Sequence, residues 1–281
     1  MMNWILRNEG IVPRGRAHVD IDDRGHQFGD GIYEVIRVYG GIPFLMQPHL
    51  DRLRRSARAI SMALPWDDGA LTVRCAELVA REALADGILY IQVTRGVCPR
   101  LQVFPPEDVL PQITAYARAM PRPRAETVDG LHARLVPDIR WLRCDIKSIN
   151  LLPNMLARQK AKEHGCGEAI QHRDGTVTEG AFSNAYIVAD GTVHTHPANN
   201  LILAGITRVH ILRLCAGLGL PVVEEPFRVD DLRRAEEIFI SSTASEVAPV
   251  IRLDGQPVGG GTPGTVTRRL QTAFSETLPK A

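Results

Sequence analysis

The sequence predicts a mixed α and β protein of two domains, and three observations predict it. Its 281 residues exceed the usual size of one hydrophobic core. Short apolar runs are closed by Gly-Gly or Asp-Gly pairs, the chemistry of tight antiparallel hairpins. Between those runs lie stretches whose apolar residues recur at helical spacing. No repeat with a period of about 20 to 50 residues and no low-complexity tract occurs, which sets solenoids and propellers aside.

Taken in order, Gly40-Gly41 separates the strands IYEVIRVY and IPFLM. Residues 48–62 then place Leu50, Leu53, Ala57 and Ile60 on one helical stripe, and residues 70–86 do the same with Leu71, Cys75, Leu78 and Val79 before Gly87. After the strand PQITAYARA, the stretch MPRPRAETVDG has two Pro and few apolar residues. It divides a smaller N-terminal domain, 1–119, from a larger one, 131–281, with 120–130 as the linker. The strand LHARLV opens the second domain, followed by a helix through NMLARQKAKEHG with Pro153 in its first turn, where a missing N–H matters little. Hairpins at Asp174-Gly175 and Asp190-Gly191, a helix through ITRVHILRLCAG, a hairpin at Asp254-Gly255 and a last helix through TVTRRLQTAF complete the chain. Much of the sheet is therefore expected to be antiparallel.

At 44% hydrophobic and 23% charged residues the composition is that of a soluble globular protein. The opening MMNWILRNEG carries an Arg and a Glu where a secretory signal needs an unbroken apolar stretch, and no later run is long enough to span a bilayer, so a cytoplasmic location is expected. Five widely spread cysteines without a Cys-x-x-Cys pair argue against a disulfide framework or structural zinc. A net charge of +1 gives no field for nucleic acid or anionic lipid. All but four of the 33 basic residues are Arg, so each Lys is worth locating.

Several motifs have ordinary explanations. The run Gly259 to Gly264 satisfies G-x-G-x-x-G, but a dinucleotide site needs a further strand with an acidic residue about 20 positions on, and the sequence stops short of it. His194 and His196 share a strand face without a third ligand nearby, and Asp20, Asp22 and Asp23 lack the calcium-loop pattern, so no metal is expected.

Lys160 and Lys162 fall on a polar helix surface, whereas Lys147 lies between Trp141, Leu142 and Ile146 on one side and Leu151 and Leu152 on the other, where a strand is expected to pass into a helix. An amine among apolar groups tends toward the neutral nucleophile, and a Lys that snorkels to solvent is the equal alternative from the residues alone. Glu179 ends TVTEG, and burial there would require a cationic partner. Gly205-Ile206-Thr207 opens a helix whose free amides suit a phosphate, or is a plain turn. Ser241-Ser242-Thr243 offers donors after EIFI, and Arg52 lies on the polar side of its helix, by default solvated.

Together these segments resemble the class IV, or fold type IV, pyridoxal-phosphate aminotransferases, most closely those acting on D-amino acids. The blocks DRGHQFGDGIYEVIRVY, HLDRLRRSA, YIQVTRGVCPR, DIRWLRCDIKSINLL, TVTEGAFSN, THPANNLILAGITR and IFISSTASEVAPVI follow the family's order and spacing and cover almost the whole chain. The resemblance implies pyridoxal 5'-phosphate held between two domains, with Lys147 as the Schiff-base lysine and Glu179 as partner of the pyridine nitrogen. It implies that Arg52, Ile206, Thr207 and Thr243 hold the phosphate, Leu203 packs behind the ring, and Tyr33, Arg100 and Gln102 receive the substrate carboxylate. A homodimer in which the Arg100 loop completes the neighbouring site is implied as well. Ping-pong transfer of the amino group of D-alanine or its like to 2-oxoglutarate or pyruvate is the activity implied. A branched-chain L-amino acid aminotransferase is the runner-up, and an aminodeoxychorismate-type lyase stands third. Two departures from the family pattern stand out: Gln102 occupies the place of a His, and Ala181-Phe182-Ser183 replaces a Ser-rich stretch.

Overall fold

The structure is a computed structural model that describes residues 2–8, 10–122 and 129–279. The described residues form two compact units. One takes the chain through Arg122, then Ile146–Asn150 and Pro279; the other takes the chain from Asp129 to Asp145 and Leu151–Leu278. Ile146–Asn150, inside the stretch expected to build the second domain, thus clusters with the first unit. Of the expected linker, residues 123–128 lie outside the described residues.

The first unit has a six-stranded sheet in the order β2-β1-β6-β5-β3-β4. Its strands are β1 (Trp4–Arg7), β2 (Gly10–Pro13), β3 (Gly31–Tyr39), β4 (Ile42–Pro43), β5 (Gly87–Thr94) and β6 (Gln112–Ala119). Among the described residues every strand pair within it is antiparallel. Side chains of a strand alternate between faces, so Ile32, Ile36 and Val38 of β3 turn together into a core. Two helices supply its other side: α2 (Met46–Ala59) brings Leu50, Leu53 and Ala57, and α3 (Asp68–Arg81) brings Leu71, Cys75 and Leu78. The helical stripes read from the sequence are these buried rows. A short helix, α1 (Arg24–Phe28), was not expected; Asp23 caps it through the amides of Gly25 and His26, and Gly29 ends it at φ +67°.

The second unit has a nine-stranded sheet among the described residues: β12-β11-β10-β13-β14-β7-β8-β9, with β15 paired to β14. These strands are β7 (Leu131–Pro137), β8 (Glu168–Arg173), β9 (Thr176–Gly180), β10 (Asn184–Ala189), β11 (Thr192–Thr195), β12 (Val222–Glu224), β13 (Glu237–Ser242), β14 (Glu246–Leu253) and β15 (Gln256–Pro257). Asp174-Gly175, Asp190-Gly191 and Asp254-Gly255 all have positive φ at both positions, the geometry that returns a strand on itself with matching twist. The hairpins they close are antiparallel as expected. Three pairs, β7 with β8, β7 with β14, and β11 with β12, are parallel. Helices α4 (Leu152–Glu163), α5 (Ile206–Gly217), α6 (Val229–Arg234) and α7 (Thr265–Glu276) complete the unit. The expected class, mixed α and β with largely antiparallel sheets, is the class observed. No described helix is long and apolar enough to cross a membrane.

Across β10 and β13, Tyr186 and Phe239 stack with ring centroids 4.4 Å apart, both fully buried. Truncating one ring leaves a cavity that a sheet held on both sides cannot close. Phe239→Ala is therefore expected to destabilise the protein by about 3–5 kcal/mol, read as a lowered midpoint of chemical denaturation.

Candidate active site

The first unit holds Lys147 by backbone pairing rather than by a strand of its own. The Tyr33 amide donates to the Lys147 carbonyl at 3.0 Å and the Ile149 amide to the Gly31 carbonyl at 3.1 Å, while the Lys147 amide donates to Ser56 Oγ at 3.2 Å. An isolated bridge between Ile32 and Ser148 accompanies these bonds. Gly31 is needed for this approach, since an added Cβ would meet the Val93 carbonyl at 2.6 Å and Ile149 Cδ1 at 2.9 Å. The result is that Lys147 Nζ sits 4.1 Å from the centroid of the Tyr33 ring. The apolar surround expected from sequence is absent: Trp141 and Leu142 are 47% and 62% exposed and Leu152 71%, and of the flanking residues only Ile146 joins the core. Nor does a strand lead into Lys147: residues 138–150 form no helix or strand, and their bonds are partly local, as Arg140 to Asp138 and Arg143 to Asp145, and partly distant, as the Cys144 amide to the Asn200 carbonyl. An aromatic face, not an aliphatic pocket, meets the amine.

Arg52 is likewise not the solvated Arg of its default reading. It is buried at 4% exposure, and its Nε and Nη2 donate to the two oxygens of Glu34 at 2.7 and 2.8 Å. His49 Nδ1 lies 2.7 Å from Glu34 Oε2. Burial works to raise the Glu34 carboxyl, but Arg52 and His49 hold it far below the usual carboxylate range. Burial pushes the His49 imidazole down against the opposing pull of Glu34, and Nδ1, which faces a carboxylate, is the donor of that bond in either protonation state. Arg100 and Gln102 lie on an exposed loop, and the Arg100 guanidinium rests 4.2 Å from the Phe28 ring centroid.

In the second unit Glu179, at the end of β9, is almost fully buried and receives the cationic partner that burial demands. Arg140 Nη1 donates to its Oε1, the Leu203 amide to both oxygens at 3.1 Å, and Asn184 Nδ2 to Oε2 at 3.0 Å. Burial pushes the Glu179 carboxyl up against the opposing pull of Arg140. Asn184 also donates to the Leu203 carbonyl at 2.9 Å, which ties Glu179 to the turn that leads into α5. Ile206 and Thr207 begin α5, whose N-terminus carries no side-chain cap, and Gly205 leaves no room there for a Cβ against Asn184 Oδ1. Thr243 lies in the turn between β13 and β14, beside Ser242, whose Oγ accepts the Ser245 amide.

Sequence reading missed Glu34, His49, Arg140 and Asn184. The Asp138-x-Arg140 spacing was the available signal for Arg140, because residues two apart at a strand's end can share one bond network. Arg140 Nε and Nη2 donate to Asp138 at 2.9 and 2.8 Å, and Thr178 Oγ1 adds a bond at 2.9 Å.

Taken separately, the groups of each unit are of the kinds that bind an aldehyde, a phosphate or a ring nitrogen. The first unit offers an amine over an aromatic ring and a guanidinium; the second offers a buried carboxylate, an uncapped helix N-terminus and a threonine hydroxyl.

Residues 31–253 match the family described as Amino-transferase class IV. The chain is 47% identical over 275 residues to D-alanine aminotransferase of Staphylococcus aureus strain MSSA476, covering 98% of each. It is 45% identical over 274 residues to the protein of that name from Bacillus licheniformis, covering 98% of this chain and 96% of that one. Among solved structures, the branched-chain amino acid aminotransferase of Escherichia coli superposes with a TM-score of 0.93 at 27% identity, covering 99% of this chain and 95% of that one. The branched-chain enzyme of Thermobaculum terrenum in its PLP form gives 0.86 at 25% identity, covering 98% and 93%.

Burial works to raise the Asp138 carboxyl, but the bonds and charge of Arg140 hold it at about 2. Its folded pKa is below that of an unfolded chain, so its contribution, about 2 kcal/mol, is present above pH ~4 and is lost as pH falls through ~2. Denaturation midpoints measured from pH 5 to pH 2 are expected to fall, and Asp138→Asn to flatten that fall.

Proposed function

The chain belongs to the class IV aminotransferases, and we propose that within this family it moves the amino group of D-amino acids, D-alanine among them, to a 2-oxo acid such as 2-oxoglutarate or pyruvate. The observation that carries the reading is the Lys147 amine, held by backbone pairing over the Tyr33 ring in a chain that matches D-alanine aminotransferases along nearly its full length.

Pyridoxal 5'-phosphate, when bound, accepts the amino group at its aldehyde carbon and draws charge from the substrate Cα into its ring. Lys147, through Nζ, is the residue that would hold that carbon, and the same amine would take the substrate Cα proton and return it. Glu179 keeps a proton at the ring nitrogen; its bonds from Arg140, Asn184 and Leu203 support that role by fixing the carboxylate. Arg52, Ile206, Thr207 and Thr243 hold the phosphate, and Glu34 keeps the Arg52 fork in one orientation. Leu203, through its side chain, packs behind the ring. Tyr33, Arg100 and Gln102 receive the substrate carboxylate. The two half-reactions use one site in turn, which gives ping-pong kinetics.

The reading includes a cytoplasmic homodimer. Leu152, Met155 and Leu156 form an exposed apolar stripe at helical spacing on α4, the kind of surface a second copy of the chain covers, and the five cysteines are unpaired, as a reducing compartment keeps them. Transamination of branched-chain L-amino acids is the second reading. It is favoured by the fold likeness to branched-chain enzymes and by Gln102, whose amide donates a hydrogen bond but carries no charge.

With 2-oxoglutarate as acceptor, D-alanine is expected to turn over and L-leucine to remain near background; the reverse order would establish the second reading. Glu179→Gln, which cannot keep a proton on the ring nitrogen by charge, is expected to lower kcat by roughly 100-fold. Unaltered kcat in that variant would remove Glu179 from the cofactor site.

A further inference from the structure

The loop that bears Arg100 is mounted on charged groups that the reaction itself does not use. Arg24 and Arg95, both buried, donate through Nε to Asp30 at 2.9 and 2.8 Å. Arg95 is fixed from behind by the carbonyls of Ser61 and Ile60, at 3.1 and 2.7 Å. From this cluster three contacts reach the loop. Arg24 Nη1 donates to the Leu101 carbonyl at 2.8 Å, and the Arg95 guanidinium lies 3.8 Å from the Phe104 ring centroid. The third runs through Phe28, whose ring has Arg24 at 4.8 Å and Arg100 at 4.2 Å from its centroid.

An aromatic face attracts a cation through its quadrupole, and a planar guanidinium gains in addition from stacking. Two cations near one ring also repel; Asp30, shared between Arg24 and Arg95, offsets one of the two charges of the cluster, and the exposed Arg100, its Nη1 3.5 Å from the Gln27 carbonyl, is screened by solvent. The outer residues of the loop, Leu101, Val103 and Phe104, are exposed, so burial of their side chains is not what holds its shape.

We propose that Phe28, backed by the Arg24–Asp30–Arg95 cluster, is a positioning residue that holds the Arg100 guanidinium ready for the substrate carboxylate. The inference rests on the proposed role of Arg100 in the substrate site. Phe28 acts through Arg100, so it sets the affinity for the carboxylate of donor and acceptor alike and has no part in proton transfer.

The test compares holoenzyme carrying Phe28→Leu, Phe28→Tyr, Arg100→Ala and the Phe28→Leu/Arg100→Ala pair. KM for D-alanine and for 2-oxoglutarate, kcat, and calorimetric binding of propionate are measured; propionate has the three-carbon acid skeleton without the reacting amine. Phe28→Leu is expected to raise both KM values and to weaken propionate by about 3- to 10-fold, with a smaller fall in kcat. Phe28→Tyr is expected to restore wild-type values, and Phe28→Leu to add nothing once Arg100 is gone. Propionate affinity unchanged in Phe28→Leu but reduced in Arg100→Ala overturns the inference alone. Affinity unchanged in Arg100→Ala removes Arg100 from the substrate site, and the inference falls with it. Asp30→Asn gives an independent reading: hydrogen exchange across residues 98–104 is expected to quicken, and unaltered exchange would count against the mount.

Discussion

Two backbone hydrogen bonds, from the Tyr33 amide to the Lys147 carbonyl and from the Ile149 amide to the Gly31 carbonyl, fix where the Lys147 amine lies. The segment that carries Lys147 has no regular structure of its own, so its position derives from the edge of β3. The same short stretch of β3 presents Tyr33 beneath the amine and, one residue on, Glu34 toward α2, where it fixes Arg52. Alternation along one strand thereby serves both faces of the sheet at once. A shift of register by a single residue would exchange the two roles and place a carboxylate under the amine.

Each unit also buries a carboxylate away from water, and each holds it with a fork. Glu34 has Arg52 with His49 beside it; Glu179 has Arg140, which bonds Asp138 as well. A buried ion pair is weak evidence of stability, but loss of one member is severe because the other is left uncompensated. Such pairs hold direction well, and direction is what a bound phosphate or ring nitrogen requires of its partners.

What was legible in the sequence was what short-range chemistry decides. Asp-Gly and Gly-Gly pairs gave hairpins, since positive φ is cheap there, and stripes such as Leu50, Leu53 and Ala57 gave the helices that cover the first sheet. The five-residue helix α1 was illegible because it is too short to show a period and rests on the Asp23 cap. Arg52 reads as a surface residue until Glu34, on a separate strand, is known to face it. Trp141 and Leu142 read as a pocket wall, yet they are exposed, since residues between a strand and a helix follow hydrogen bonds made far away rather than their own hydropathy. Candidates for the site could therefore be named from a pattern of blocks, whereas the groups that bond them, Arg140 and Asn184 on Glu179 above all, became visible only in three dimensions.

The attachment of Ile146–Asn150 to the first unit bears on how the chain acquires its activity. All six strands of that unit precede Ser148 in the sequence, so the sheet can be assembled while the lysine is still unmade. During synthesis the Lys147 segment follows every strand of that unit and pairs with the edge of β3, and contacts of such long sequence separation form slowly. On the role proposed for Lys147, attachment of the cofactor would therefore wait on a pairing between segments more than 100 residues apart rather than on the first steps of folding.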